Sequence, residues 1–104
     1  MERTIPSKIV RKIIFDILIE RSNVIDDYCD ELIKNEMEKF GVYGEYAGEV
    51  GWTACGTRVL ADEILEGIMS LEEAVEVLSL EERREAKTRC QNWLNEKSKN
   101  GIEK

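Results

Sequence analysis

After Pro6 the chain has no further proline, and no stretch of it alternates apolar and polar residues with a period of two. A strand half-buried on a sheet needs that alternation, whereas an amphipathic helix needs apolar residues every three or four positions. The segment "IPSKIVRKIIFDILIERS" supplies the second pattern. Val10, Ile13, Ile14, Ile17 and Leu18 make a wide apolar stripe at helical spacing, and Ile9, Phe15 and Ile19 broaden it. The rhythm continues through Val24, Ile25, Tyr28, Cys29, Leu32, Ile33 and Phe40. Either one long helix runs from about 8 to 39, with Arg21 snorkelling off the stripe, or Ser22 or Asn23 caps a second helix.

Further on, Val59, Leu60, Ile64 and Ile68 share a helical face. A motif then repeats nine residues apart, "SLEE" at 70–73 and again at 79–82. In each copy a serine and the glutamate three places on form a capping box, Ser70 with Glu73 and Ser79 with Glu82, so each serine marks a helix start. Leu71, Ala74, Val75 and Leu78 form the inner face of the first of these helices; Ala86, Cys90, Trp93 and Leu94 form that of the second. The expected fold is all-α, a compact bundle of four or five helices with a long N-terminal helix or helix pair. It forms one domain over 1–104, with 1–6 and 99–104 frayed and a helix stop at Gly101.

The segment "GVYGEYAGEVGWTACG", residues 41–56, departs from this pattern, because it holds five of the seven glycines. Two readings fit it. As a loop, it avoids the roughly 3–4 kcal/mol that four glycines within 41–51 would cost a helix, and it displays Tyr43, Tyr46 and Trp52 for binding. As a helix, it sets Gly41, Gly44, Gly48, Gly51 and Cys55 along one small-residue face, against which another backbone can pack closely. Either way, 41–56 is the expected interface, with Tyr43, Glu45, Tyr46, Glu49, Trp52 and Arg58 as contact residues. It lacks the lysine and serine or threonine of a phosphate-binding P-loop, and Glu45 and Glu49 would repel phosphate.

Histidine is absent, which removes histidine-based nucleophile systems and histidine metal sites. The three cysteines are widely spaced, without a CxxC pair, and are expected to be buried free thiols that pack as small hydrophobes in a cytoplasmic protein. No apolar run reaches the length of a membrane span or signal segment. The net charge of −7 is layered: residues 1–25 carry +2, residues 26–82 carry −13 and residues 83–104 carry +4. An acidic middle this strong favours a basic partner over a phosphate backbone.

Two carboxylate groups bear on a possible metal site. "DDYCDE" places Asp26, Asp27, Asp30 and Glu31 at i, i+4 spacings, and is similar to the DDxxD motif of terpenoid synthases, whose helical bundles are several times larger. With Glu63 and Glu66 opposite, the layout resembles that of small all-α nucleoside triphosphate pyrophosphatases, which implies magnesium between paired acidic helices. The order ExxE…ExxD is imperfect here. "SLEEAVEVLSLEERREAKTRCQNWL" looks like a helix–turn–helix, which implies DNA contacts by Arg83, Arg84, Lys87 and Arg89. Ser79 stands where that turn usually has glycine, and Glu81, Glu82 and Glu85 would also face DNA.

The function expected from these residues is binding without a cofactor: a small acidic regulator, adaptor or inhibitor that engages a basic protein and forms a homodimer. A DNA-binding regulator and a magnesium-dependent nucleotide hydrolase are the alternatives.

Overall fold

Four helices follow one another in the computed structural model, which describes the backbone of residues 5–42 and 44–102 and the side chains of these up to residue 97. They are α1 (Ser7–Phe40), α2 (Glu45–Glu66), α3 (Leu71–Val77) and α4 (Leu80–Ile102), with no strand among the described residues. The fold is therefore an all-α helical bundle.

α1 is a single helix of 34 residues. Ser22 does not cap a second one. Its side chain is fully buried, and its hydroxyl donates to the Ile19 carbonyl (2.8 Å) within the same helix. α1 ends at Gly41, whose φ of 76° is left-handed and whose N–H bonds Met37 O at 2.9 Å. α2 starts four residues later, at Glu45, so the loop reading of 41–56 is corrected: only residues 41–44 separate the helices. The glycine cost is offset by packing. α2 lies antiparallel along α1, burying Ala47, Ala54, Thr57, Ala61 and Ile64 against Leu18, Ser22 and Cys29. Both helices keep the alternating three- and four-residue spacing of a coiled-coil seam. The small-residue face exists, but its buried members are mainly alanines. Of the glycines, Gly51 lies at the seam, where an added Cβ would meet Cys29 Sγ at 3.4 Å, while one on Gly48 or Gly56 would meet nothing within 4 Å.

A Schellman closure ends α2. Gly67 (φ 86°) donates to Ile64 O at 3.2 Å, and Ile68 N–H bonds Glu63 O at 3.0 Å. The two kinds of glycine therefore predict opposite substitutions. Gly56→Ala, in helical conformation facing open space, is expected to stabilise the protein by about 1 kcal/mol. Gly67→Ala, held in the left-handed region, should cost about 1–2 kcal/mol. Thermal melts followed by circular dichroism should shift in opposite directions by roughly 4–8 °C per kcal/mol.

Both serines cap their helices, but the box closes reciprocally only at Ser79; at Ser70 the hydroxyl itself donates to the Glu73 carboxylate (3.2 Å). Ser70 Oγ accepts the Glu73 N–H (3.2 Å), and Ser79 Oγ accepts the Glu82 N–H (3.2 Å) while the Glu82 carboxylate accepts the Ser79 N–H (2.8 Å). α3 and α4 close a core of Ile14, Ile17, Leu18, Ala61, Ile64, Ala74 and Leu78 over the N-terminal half of α1. Several residues expected to be buried lie outside it: Cys55, Val59, Ile68 and Val75 are exposed, and Cys90, Trp93 and Leu94 are half-buried without joining the core. Trp93 is instead flanked by the Lys97 ammonium, 5.6 Å from its ring centre. α4 also continues through Gly101 to Ile102, past the expected stop.

The bundle is long and not compact as expected: it measures 63 × 27 × 21 Å with a radius of gyration of 18.1 Å, against about 13 Å for a compact chain of this length. The reason is that the core and the polar ties of α3 and α4 fall on α1 no further than Arg21. From Ser22 to Thr57 the chain is a two-helix arm.

Candidate interaction surface

The arm has a thin interior. Cys29, buried, donates its thiol to the Ala47 carbonyl (3.2 Å), and Gly44 N–H bonds Glu36 Oε2 (2.7 Å) where the helices turn. Outside this seam, large apolar side chains face solvent: Val24, Tyr28, Phe40, Val42, Tyr46 and Trp52. Residues 22–57 also carry eight acidic and two basic side chains, a net −6.

The expected contact residues divide between two flanks of this arm. Tyr46 lies beside Tyr28, and the neighbouring phenol holds the Tyr28 hydroxyl above its ordinary pKa. Val24, one helical turn before Tyr28, continues this flank into a groove of about 470 Å³ between α1 and α4, lined by Ile17, Ile25 and Glu81 and by the ion pairs of Arg21 with Glu82 and of Arg89 with Glu20 and Glu85. On the other flank, Trp52 stands over a shallow groove of about 340 Å³ lined by Asp26, Gly48, Gly51 and Cys55. Arg58 closes that side by pairing with Asp26. Glu45 and Glu49 are exposed on α2. Tyr43 lies outside the described residues.

Tyr28 was expected on the inner stripe. It misses the seam because the positions facing α2 are 18, 22, 25, 29 and 32, and 28 falls a full residue to one side. Val24, one turn earlier on the same flank, is uncovered for the same reason. The four-then-three spacing of Leu18, Ser22, Ile25 and Cys29 was the signal that would have found both.

The six carboxylates considered for a metal do not converge. Asp26 is committed to Arg58; Asp27, Asp30, Glu31 and Glu66 are exposed, and Glu63 is half-buried. Among the described residues no three acidic or cysteine side chains come together as a metal site requires. Of the four cations considered for DNA, two serve the fold. Arg83 Nε bonds Val75 O at 2.9 Å, satisfying the end of α3. Arg89 bonds both carboxylate oxygens of Glu20 (2.7 and 3.0 Å) and Glu85 (2.9 Å), which holds the Glu20 carboxyl below its usual range. Arg84 and Lys87 remain exposed on α4.

Among the described residues no helix is long and apolar enough to cross a membrane. Comparison with models of protein families, with curated proteins and with solved structures finds no match for this chain.

Proposed function

We propose that this protein is a small acidic binding module, an adaptor or inhibitor, whose two-helix arm engages a basic surface on a partner protein. One observation carries the reading: the arm leaves apolar and aromatic side chains uncovered on a surface of net charge −6. Contiguous apolar surface on a soluble chain marks a contact site, and rigid aromatic side chains are its usual anchors. The carboxylates around them would steer a basic partner and reject an acidic one. The tyrosine flank, Tyr28 with Tyr46 and the adjoining groove, is where that partner docks. The three free thiols suit work in the cytoplasm.

A photo-reactive cross-linker at position 49, beside the tyrosines, tests this. Adducts formed in cell extract should join through basic peptides, weaken as salt is raised, and disappear in a Tyr28→Ala, Tyr46→Ala variant that keeps its helix content and melting temperature. An unchanged set of adducts in that variant would refute the assignment.

A further inference from the structure

Clear of the arm, where α3 and α4 close over the N-terminal half of α1, the helices leave an apolar pocket of about 190 Å³. Buried Ile14 and Leu78 form its floor, half-buried Ala86 and Cys90 its walls, and exposed Val75 its lip. Burial pushes the Cys90 thiol above its ordinary pKa, as a wall turned from water should. Among the described residues the charged lining consists of Arg83 and Lys87, exposed and one helical turn apart on α4. No carboxylate lines the pocket, and among the described residues neither cation has one within ion-pairing distance. Arg83 gives Nε to the Val75 carbonyl (2.9 Å) and Nη2 to the Glu76 carbonyl (3.5 Å), which leaves Nη1 for a ligand. The larger groove beside Val24 differs, because its arginines, Arg21 and Arg89, are each paired with glutamate.

We propose that this pocket binds a medium-chain monocarboxylate, its hydrocarbon tail between α1, α3 and α4 and its carboxylate on Arg83 and Lys87. The volume sets the tail. An apolar cavity of about 150 Å³ stays dry and takes up a six-carbon ring, so 190 Å³ accommodates about seven or eight carbons. The rim sets the head. Two cations at i and i+4 repel each other, and an anion bound at both removes that penalty. A neutral hydrocarbon would leave the cations unused, a bare phosphate would leave the pocket empty, and a cationic amphiphile would be repelled.

The pocket is separate from the surface that engages a basic partner. Ile14, on its floor, and Tyr28 stand on the same helix about 20 Å apart, at a rise of about 1.5 Å per residue. The two surfaces also select opposite charges, since the arm is acidic and this rim is basic.

Isothermal titration of the full chain with octanoate should show one site of submillimolar to millimolar affinity. Hexanoate, with two fewer methylenes to bury, should bind roughly tenfold more weakly, and dodecanoate no more tightly than octanoate, because the pocket is already full. Octanol, lacking the charge, should bind about fivefold more weakly than octanoate, and octylammonium should not bind. Lys87→Gln should weaken octanoate about threefold and leave octanol unchanged. Ala86→Leu, which fills the pocket, should abolish binding while keeping helix content and melting temperature. Octanoate should also slow the alkylation of Cys90 by iodoacetamide and leave that of exposed Cys55 unaffected. Octanoate that gives neither heat nor protection of Cys90 overturns the proposal. So does octanol or octylammonium binding as tightly as octanoate, an affinity that keeps rising to dodecanoate, or octanoate binding indifferent to both Lys87→Gln and Ala86→Leu. Tyr28→Ala, Tyr46→Ala should leave octanoate binding unchanged, so this site and the capture of a basic partner stand or fall separately.

Discussion

Ala61→Leu is expected to destabilise the protein by about 3 kcal/mol, near the upper end of what overpacking a core costs. Ala61 has no exposed surface and belongs at once to the α1–α2 seam and to the core that α3 closes. The same core holds Leu18 of α1 and Ala74 of α3, both fully buried. Small residues set the distance between helix axes, so three added carbons must push α1 and α2 apart or drive Leu18 from its rotamer. Chemical denaturation should show the loss as a lower midpoint with little change in slope, and the thermal midpoint should fall by roughly 12–24 °C. Ala54→Leu makes the same change one heptad away, in the arm, where no third helix holds the pair together. There the helices can spread, and the expected cost is nearer 1 kcal/mol, the lower bound for overpacking. Equal losses at the two positions would contradict a core confined to the N-terminal half of α1.

How much of this was legible in the chain beforehand depends on how local each cause is. The serine caps at Ser70 and Ser79 were, because a serine and the glutamate three residues on settle the matter between themselves. So was the stripe Ile14, Ile17, Leu18, which has one face to bury wherever the partner lies. For 45–56 the choice between loop and helix stayed open because propensity counts the glycines and cannot count the contacts that offset them. Those contacts come from Ser22, Ile25 and Cys29, some twenty to thirty residues earlier. Tyr46 and Trp52 are exposed aromatics, as a binding segment would have them. That they point to opposite flanks followed only once α2 was known to be a helix. Arg21, read as a cation at the edge of a stripe, has the least local role of all, since its partners lie 56 and 61 positions away.

Arg21→Met should cost about 2 kcal/mol at neutral pH, and the loss should fade in acid. The guanidinium gives Nε to Glu82 Oε2 (2.8 Å) and Nη2 to both Glu82 Oε1 and the Val77 carbonyl (3.1 Å to the latter). It thus ties α1 to the end of α3 and, through a carboxylate that also caps Ser79 N–H, to the start of α4. Methionine keeps much of the stem's packing but leaves that carboxylate without its cation and the Val77 carbonyl without its donor. Breaking a fully buried pair costs about 3–5 kcal/mol; with side chains 28% and 18% exposed, part of that is recovered by water. The pair to Arg21 lowers the Glu82 pKa, against an opposing contribution from its burial, from an ordinary value of 4.5. A carboxyl depressed on folding contributes stability that is fully present above its unfolded pKa and is lost as pH falls through the folded one. The wild type should therefore lose stability below about pH 4.5 more steeply than Arg21→Met, and the two curves should converge. Arg21 itself stays charged throughout, since its own pKa is raised. Urea titrations of both proteins at pH 7 and in acid measure the gap directly. If it stays constant with pH, Arg21 acts through its packing and the Val77 carbonyl alone; if Glu82→Gln proves as costly as Arg21→Met and the double variant no worse than either, the charge pair is the tie.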